Sequence, residues 1–164
     1  MWSMPTGRLD SSLPTSARFP DVEVRGKALK RSIHDAAGLV FYDVNGQETG
    51  GLVLTKLRDE NVANMTFDFT YQLTDGVRII KQESPDGAHW HGGFEVFDRQ
   101  PYEPANESSQ GVQRIALLDD DHNAQLVISD VKGHPRIRIG VDATGTPAIT
   151  MLNSDGKEVY RAVK

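Results

Sequence analysis

Five short segments of this chain share one form, in which a small polar residue leads and glycine follows three places later. They are Asp43-Val44-Asn45-Gly46, Ser84-Pro85-Asp86-Gly87, Asp130-Val131-Lys132-Gly133, Asp142-Ala143-Thr144-Gly145 and Asn153-Ser154-Asp155-Gly156. The leading side chain bonds the backbone two residues on, which favours a type I turn. The glycine then takes the left-handed conformation and closes a hairpin through a bulge. Leu73-Thr74-Asp75-Gly76 reads as one more hairpin turn. Chain punctuated this often leaves no room for long helices. Gly133, Gly145 and Gly156 stand 12 and 11 residues apart, the length of one strand plus one turn. The C-terminal part is therefore expected to be a meander of sequential antiparallel strands.

The segments between the turns carry period-2 patterning. Across residues 64–73, Met65, Phe67, Phe69, Tyr71 and Leu73 alternate with Asn64, Thr66, Asp68, Thr70 and Gln72. A strand with this pattern has one apolar face and one polar face, whereas a helix would scatter the aromatics around its circumference. Ile137, Ile139 and Val141 alternate with Arg136 and Arg138 in the same way. Met65, Phe67, Phe69, Tyr71, Ile137, Ile139 and Val141 are expected to be buried. Short apolar runs at residues 39–42, 51–54 and 148–152 read as further strands. The best helical patterns cover only residues 27–36 and 57–63. About ten strands at this spacing predict an all-β fold, an antiparallel meander forming a barrel or a sandwich.

Residues 1–36 are different. Pro5, Pro14 and Pro20 are interleaved with Gly7, Ser11, Ser12, Thr15 and Ser16, and no period is sustained. They read as an irregular N-terminal arm with a short strand near residues 21–25, and residues 37–164 as a single β domain. Lys27, Lys30 and Arg31 make a small basic cluster of the kind found on solvated loops.

Composition narrows the function classes. Hydrophobic residues are 38% and charged residues 25% of the chain, which excludes a membrane-spanning helix and fits a soluble protein. The absence of cysteine excludes disulfides, thiol catalysis and Cys-ligated metals. Net charge is −5, with the acidic excess in residues 38–111 and no basic stripe. Nucleic acid and anionic membrane are therefore not expected partners. No apolar run follows a basic N-terminus, so the expectation is a cytoplasmic protein or a chain already trimmed of a leader.

Two groups of residues have chemical potential. His89 and His91, at i and i+2 on a strand, would point to one side, and Glu95 shares their parity. This His-x-His-x-x-x-Glu string resembles the first metal motif of the cupins, and the resemblance implies a divalent metal held by His89 and His91 with Glu95 as third ligand or base. Glu83 stands where that motif has glycine, and Gly92-Gly93 interrupts the strand. The plainer reading is a hairpin loop over residues 86–93 with exposed imidazoles. The second group is Asp68, Tyr71 and Tyr42, which would serve as acid or base if the polar face lined a lumen. Otherwise Asp68 is an outward charge. Asp119-Asp120-Asp121-His122-Asn123 lacks the spacing of a calcium loop and reads as a hairpin tip.

Ala36-Ala37-Gly38-Leu39-Val40-Phe41-Tyr42 followed by Asn45-Gly46 and Glu48-Thr49-Gly50-Gly51-Leu52 resembles a group of uncharacterised bacterial all-β proteins. Ala17-Arg18-Phe19-Pro20, Thr66-Phe67-Asp68 and Phe97-Asp98-Arg99 add to the likeness. The resemblance implies the fold and carries no activity. Two functions follow as expectations. One is a β-module acting through self-association, as a homo-oligomer, or through binding a partner or small-molecule ligand, because a meander leaves edges to be covered. The other is a small β-barrel enzyme, either metal-dependent through His89 and His91 or a metal-free isomerase, cyclase or hydrolase using Asp68, Tyr71 and Glu95.

Overall fold

A computed structural model describes residues 22–24, 27–29, 36–69, 74–99 and 111–163. Twelve strands account for most of them: β1 (Val22–Val24), β2 (Lys27–Leu29), β3 (Ala36–Tyr42), β4 (Glu48–Leu57), β5 (Glu60–Asp68), β6 (Asp75–Glu83), β7 (Trp90–Asp98), β8 (Val112–Asp120), β9 (Asn123–Ser129), β10 (Pro135–Val141), β11 (Pro147–Leu152) and β12 (Glu158–Val163). β1 and β2 form a separate antiparallel hairpin. The other ten strands pair in strict chain order into one antiparallel sheet whose edges are β3 and β12. The all-β antiparallel meander is as expected, and the sheet is open. Neither helical pattern gives a helix among the described residues. Residues 27–29 are β2 and Ala36 opens β3, with residues 30–35 outside the described residues, and residues 57–63 span the end of β4, a tight turn and the start of β5. Among the described residues no helix is long and apolar enough to cross a membrane.

The turns follow from local side-chain chemistry. In each polar-x-x-Gly segment the glycine N–H donates to the carbonyl of the leading residue at 2.9–3.1 Å, and each glycine has positive φ. Asp43, Asp130, Asp142 and Asn153 also accept N–H donations from the residues two and four places on, through one Oδ1 each. Two further turns, Arg58-Asp59 and Asp121-His122, have positive φ at both residues and join their strands in two residues.

Five hairpins, β3–β4, β5–β6, β7–β8, β9–β10 and β11–β12, close at the same end of the sheet, and each carries one bulge near that end. The extra residues are Thr49, Gly76, Arg114, Arg136 and Val159. Asp75-Gly76 is thus the bulged start of β6, where a turn was expected. Gly92-Gly93 lies inside β7 without breaking it. A Cβ on Gly93 would sit 2.3 Å from the Leu117 carbonyl oxygen, so glycine lets β7 and β8 approach there.

The register sorts the side chains into rows. Leu39, Leu52, Met65, Ile79, Phe94, Leu117, Leu126, Ile139, Ile149 and Ala162 are successive cross-strand partners. Phe41, Gly50, Phe67, Val77, Val96, Ile115, Ile128, Ile137, Met151 and Tyr160 form the next row on the same face. Neither row contains a charge. The opposite face carries Thr66, Arg78, Glu95, Ala116, Arg138, Thr150 and Arg161.

The alternation holds over residues 64–68, where β5 ends, and over 136–141, while residues 70–73 lie outside the described residues; burial does not follow it. Phe67 is 50% exposed, Ile139 42% and Val141 45%. Met65, Phe69 and Ile137 are half-buried, and Tyr71 lies outside the described residues. The physical reason is that no second layer covers this face among the described residues. The buried apolar side chains, Ala36, Val62, Phe97 and Ala116, all belong to the other face.

Candidate functional site

Each strand from β5 to β11 places two apolar side chains two residues apart on the apolar face, so the face is continuous across the sheet. Leu39, Ile79, Phe94, Leu117, Ile149 and Tyr160 are 39–57% exposed. Phe41 and Phe67 stack at 6.2 Å between ring centroids, the one aromatic pair on this face among the described residues. Over β9–β12 the face hollows into a groove of about 620 Å³, lined chiefly by Leu117, Leu126, Ile139, Val141, Ile149 and Ala162. At its β8 wall Leu117 is 57% exposed, and Ile79, two strands further along the face, is 50% exposed. The next row down on the same face brings Lys81 and Asp119, on either side of Gly92.

Behind this face, at the bulged end, lies a set of ionic ties. Arg78 Nε donates to Glu95 Oε2 at 2.5 Å and its Nη1 to Asp75 Oδ2 at 3.2 Å, while Gln113 Nε2 donates to Glu95 Oε1 at 2.5 Å. The Arg78 guanidinium also lies 4.9 Å from the Phe97 ring centroid. Glu95 is 4% exposed. Burial pushes the Asp75 carboxyl up, the Glu95 charge adds to this, and Arg78 opposes it. The two bulged arginines make parallel ties. Arg114 donates to the Ser129 carbonyl at 3.0 Å and pairs with Asp98. Arg136 donates through Nε to Asp130 Oδ2 at 2.9 Å and through Nη1 to the Asn153 carbonyl. Desolvation pulls the Asp130 carboxyl upward, but the Lys132 and His134 N–H groups and Arg136 hold it down at about 2.

Asp68 ends β5 directly across from Asp75, so it joins the margin of the Arg78 cluster. Glu95 is in the middle of that cluster. Tyr71 is outside the described residues, so its place beside them is not described. His89 and His91 go elsewhere. β7 begins at Trp90, which leaves His89 in the turn, where its Nδ1 lies 2.7 Å from Asp121 Oδ2. This contact raises the His89 pKa. His91 Nδ1 is 3.8 Å from Asp120 Oδ1. Glu95 lies four residues along β7 from His91, roughly 13 Å at strand rise. His89, His91 and Glu95 thus do not converge, and no group of three His, Cys, Asp or Glu among the described residues is placed to hold a metal. Glu60, Glu83, His89, His91 and Asp120 instead line a polar groove of about 330 Å³ at the sheet end opposite the bulges.

Arg78, Asp75 and Gln113 carry the cluster and were missed in the sequence, because only the β6–β7–β8 register puts them beside Glu95. The apolar face did have a signal: Val77/Ile79, Phe94/Val96, Ile115/Leu117, Leu126/Ile128 and Ile149/Met151 repeat the pairing of Met65/Phe67. The chain matches no protein-family model and no curated protein.

Proposed function

We propose that this chain is an association module: it works by binding through the apolar face of its ten-stranded sheet, and the polar face serves to hold the hairpins together. The observation that supports this is the pair of uncharged rows crossing the whole sheet, with eleven of their twenty residues 36–57% exposed. A sheet must bury an apolar face against another layer to repay the entropy of ordering its strands. Large contiguous apolar patches on a folded chain mark contact surfaces. Glu95, one of the carboxylates a catalytic reading would use, is committed to Arg78 and Gln113, which fits a tie better than an acid–base role. Of the two architectures expected, a sandwich suits an open sheet with β3 and β12 as edges, since a barrel needs those edges joined.

The chain lacks cysteine, so single thiols report cleanly on this face. Leu117→Cys should react with a thiol reagent at least about tenfold more slowly than Val44→Cys, placed at a fully exposed turn position. Equal rates in the folded proteins would mean that the face is bare and the proposal is wrong.

A further inference from the structure

We infer that the occupant of the apolar face is a second copy of this chain, packed sheet on sheet about a two-fold axis; this rests on reading the face as an association surface. Area is the first argument. Ten strands span about 43 Å and two rows about 14 Å, a flat footprint on the order of 600 Å². The aliphatic side chains of the next row, among them Leu54, Val141 and Pro147, extend it toward the roughly 800 Å² per partner of a stable complex. Shape is the second. Ile79, 50% exposed, lies on the same face as the groove over β9–β12, two strands from the groove's wall at Leu117. A two-fold axis near Leu117 sets each copy's β6–β7 side chains over the other's groove, which is the reciprocity an isologous interface requires. Charge is the third. The chain carries −5, so identical copies repel in general. The two rows are uncharged, and the row beside them holds one charge of each sign, Lys81 and Asp119. A lipid surface fits less well, because a membrane-facing sheet needs an apolar band about 25 Å tall.

Sedimentation equilibrium of the full chain at micromolar concentration should return twice the 18.1 kDa chain mass. Leu117→Asp and Ile139→Asp should each weaken the dimer by about 100-fold or more, as expected for a central contact, with the far-UV spectrum unchanged. Should either fail to fold, Leu117→Ala should still raise the dimer dissociation constant about tenfold. A monomer whose Leu117→Cys thiol is protected would overturn the second copy but leave the association surface standing, covered by this chain's own residues. A monomer with a reactive thiol would overturn both. A dimer indifferent to Leu117→Asp yet broken by proline in β12 would replace the inference with edge pairing. Uptake by neutral phosphatidylcholine vesicles without dimerisation would replace it with lipid.

Discussion

The two faces of the sheet solve the same problem by different means. On the polar face, small residues and three arginines make cover locally. Glu95 reaches 4% exposure under Arg78, Gln113 and Phe97, with no layer of helix or sheet among the described residues to shield it. On the apolar face, larger side chains such as Leu117 and Ile79 stay half exposed. Long charged side chains fold over and bury one another's stems and heads within a single layer. Aliphatic side chains standing off a strand have no such recourse and need a second surface opposite them. Among the described residues, the polar face therefore supplies its own cover around Glu95, and the apolar face has no such cover.

The largest effect that separates the faces should come from Arg78→Ala. It strands Glu95, a buried carboxylate, beside Asp75, and should cost about 3–5 kcal/mol in urea unfolding whatever the protein concentration. A cost under about 1 kcal/mol would mean that the cluster is effectively solvated. Ile139→Ala should cost about 2–3 kcal/mol if the apolar face is covered, in the lower range for a buried isoleucine, and the cost should depend on protein concentration. At its bare exposure of 42% it should cost about half that, independent of concentration. The smallest effect is a pH dependence. Asp130 is held down at about 2, below its ordinary 3.8. Its contribution is thus present above pH 3.8 and lost as pH falls toward 2. Asp130→Asn should flatten the acid-unfolding curve in that window, lowering stability modestly above pH 3.8 and converging with the unmodified chain toward pH 2. An unaltered curve would mean that Arg136 and the turn N–H groups do not hold the carboxylate.

Legibility in the sequence tracked the range of the interaction. The Asp43, Asp130, Asp142 and Asn153 turns were readable because a side chain and the backbone two to four residues on decide them. Strands β10 and β11, bracketed by such turns, came out within a residue or so of their ends. Arg58-Asp59 was not readable: two non-glycine residues with positive φ leave no compositional mark, and the flanking residues 57–63 looked helical. Asp75-Gly76 has a turn's composition, yet the same glycine freedom serves a bulge. His89 and His91 looked like a pair because the strand start at Trp90 is set by pairing to β6 and β8. The Arg78–Glu95 tie depends on register across residues 17 apart in the chain. Alternation marked which side chains share a face, but what covers a face is settled by packing beyond the strand itself.

Hydroxyl-radical footprinting of the unmodified chain tests the central claim most directly. Leu39, Ile79, Leu117 and Ile149 should oxidise several-fold more slowly than Val44 and Val131, which sit exposed in turns of the same molecule. Unfolding in urea should erase the difference. Oxidation of the face residues at rates matching their 40–57% exposure in the single sheet would contradict the account, because the apolar face would then have no partner surface.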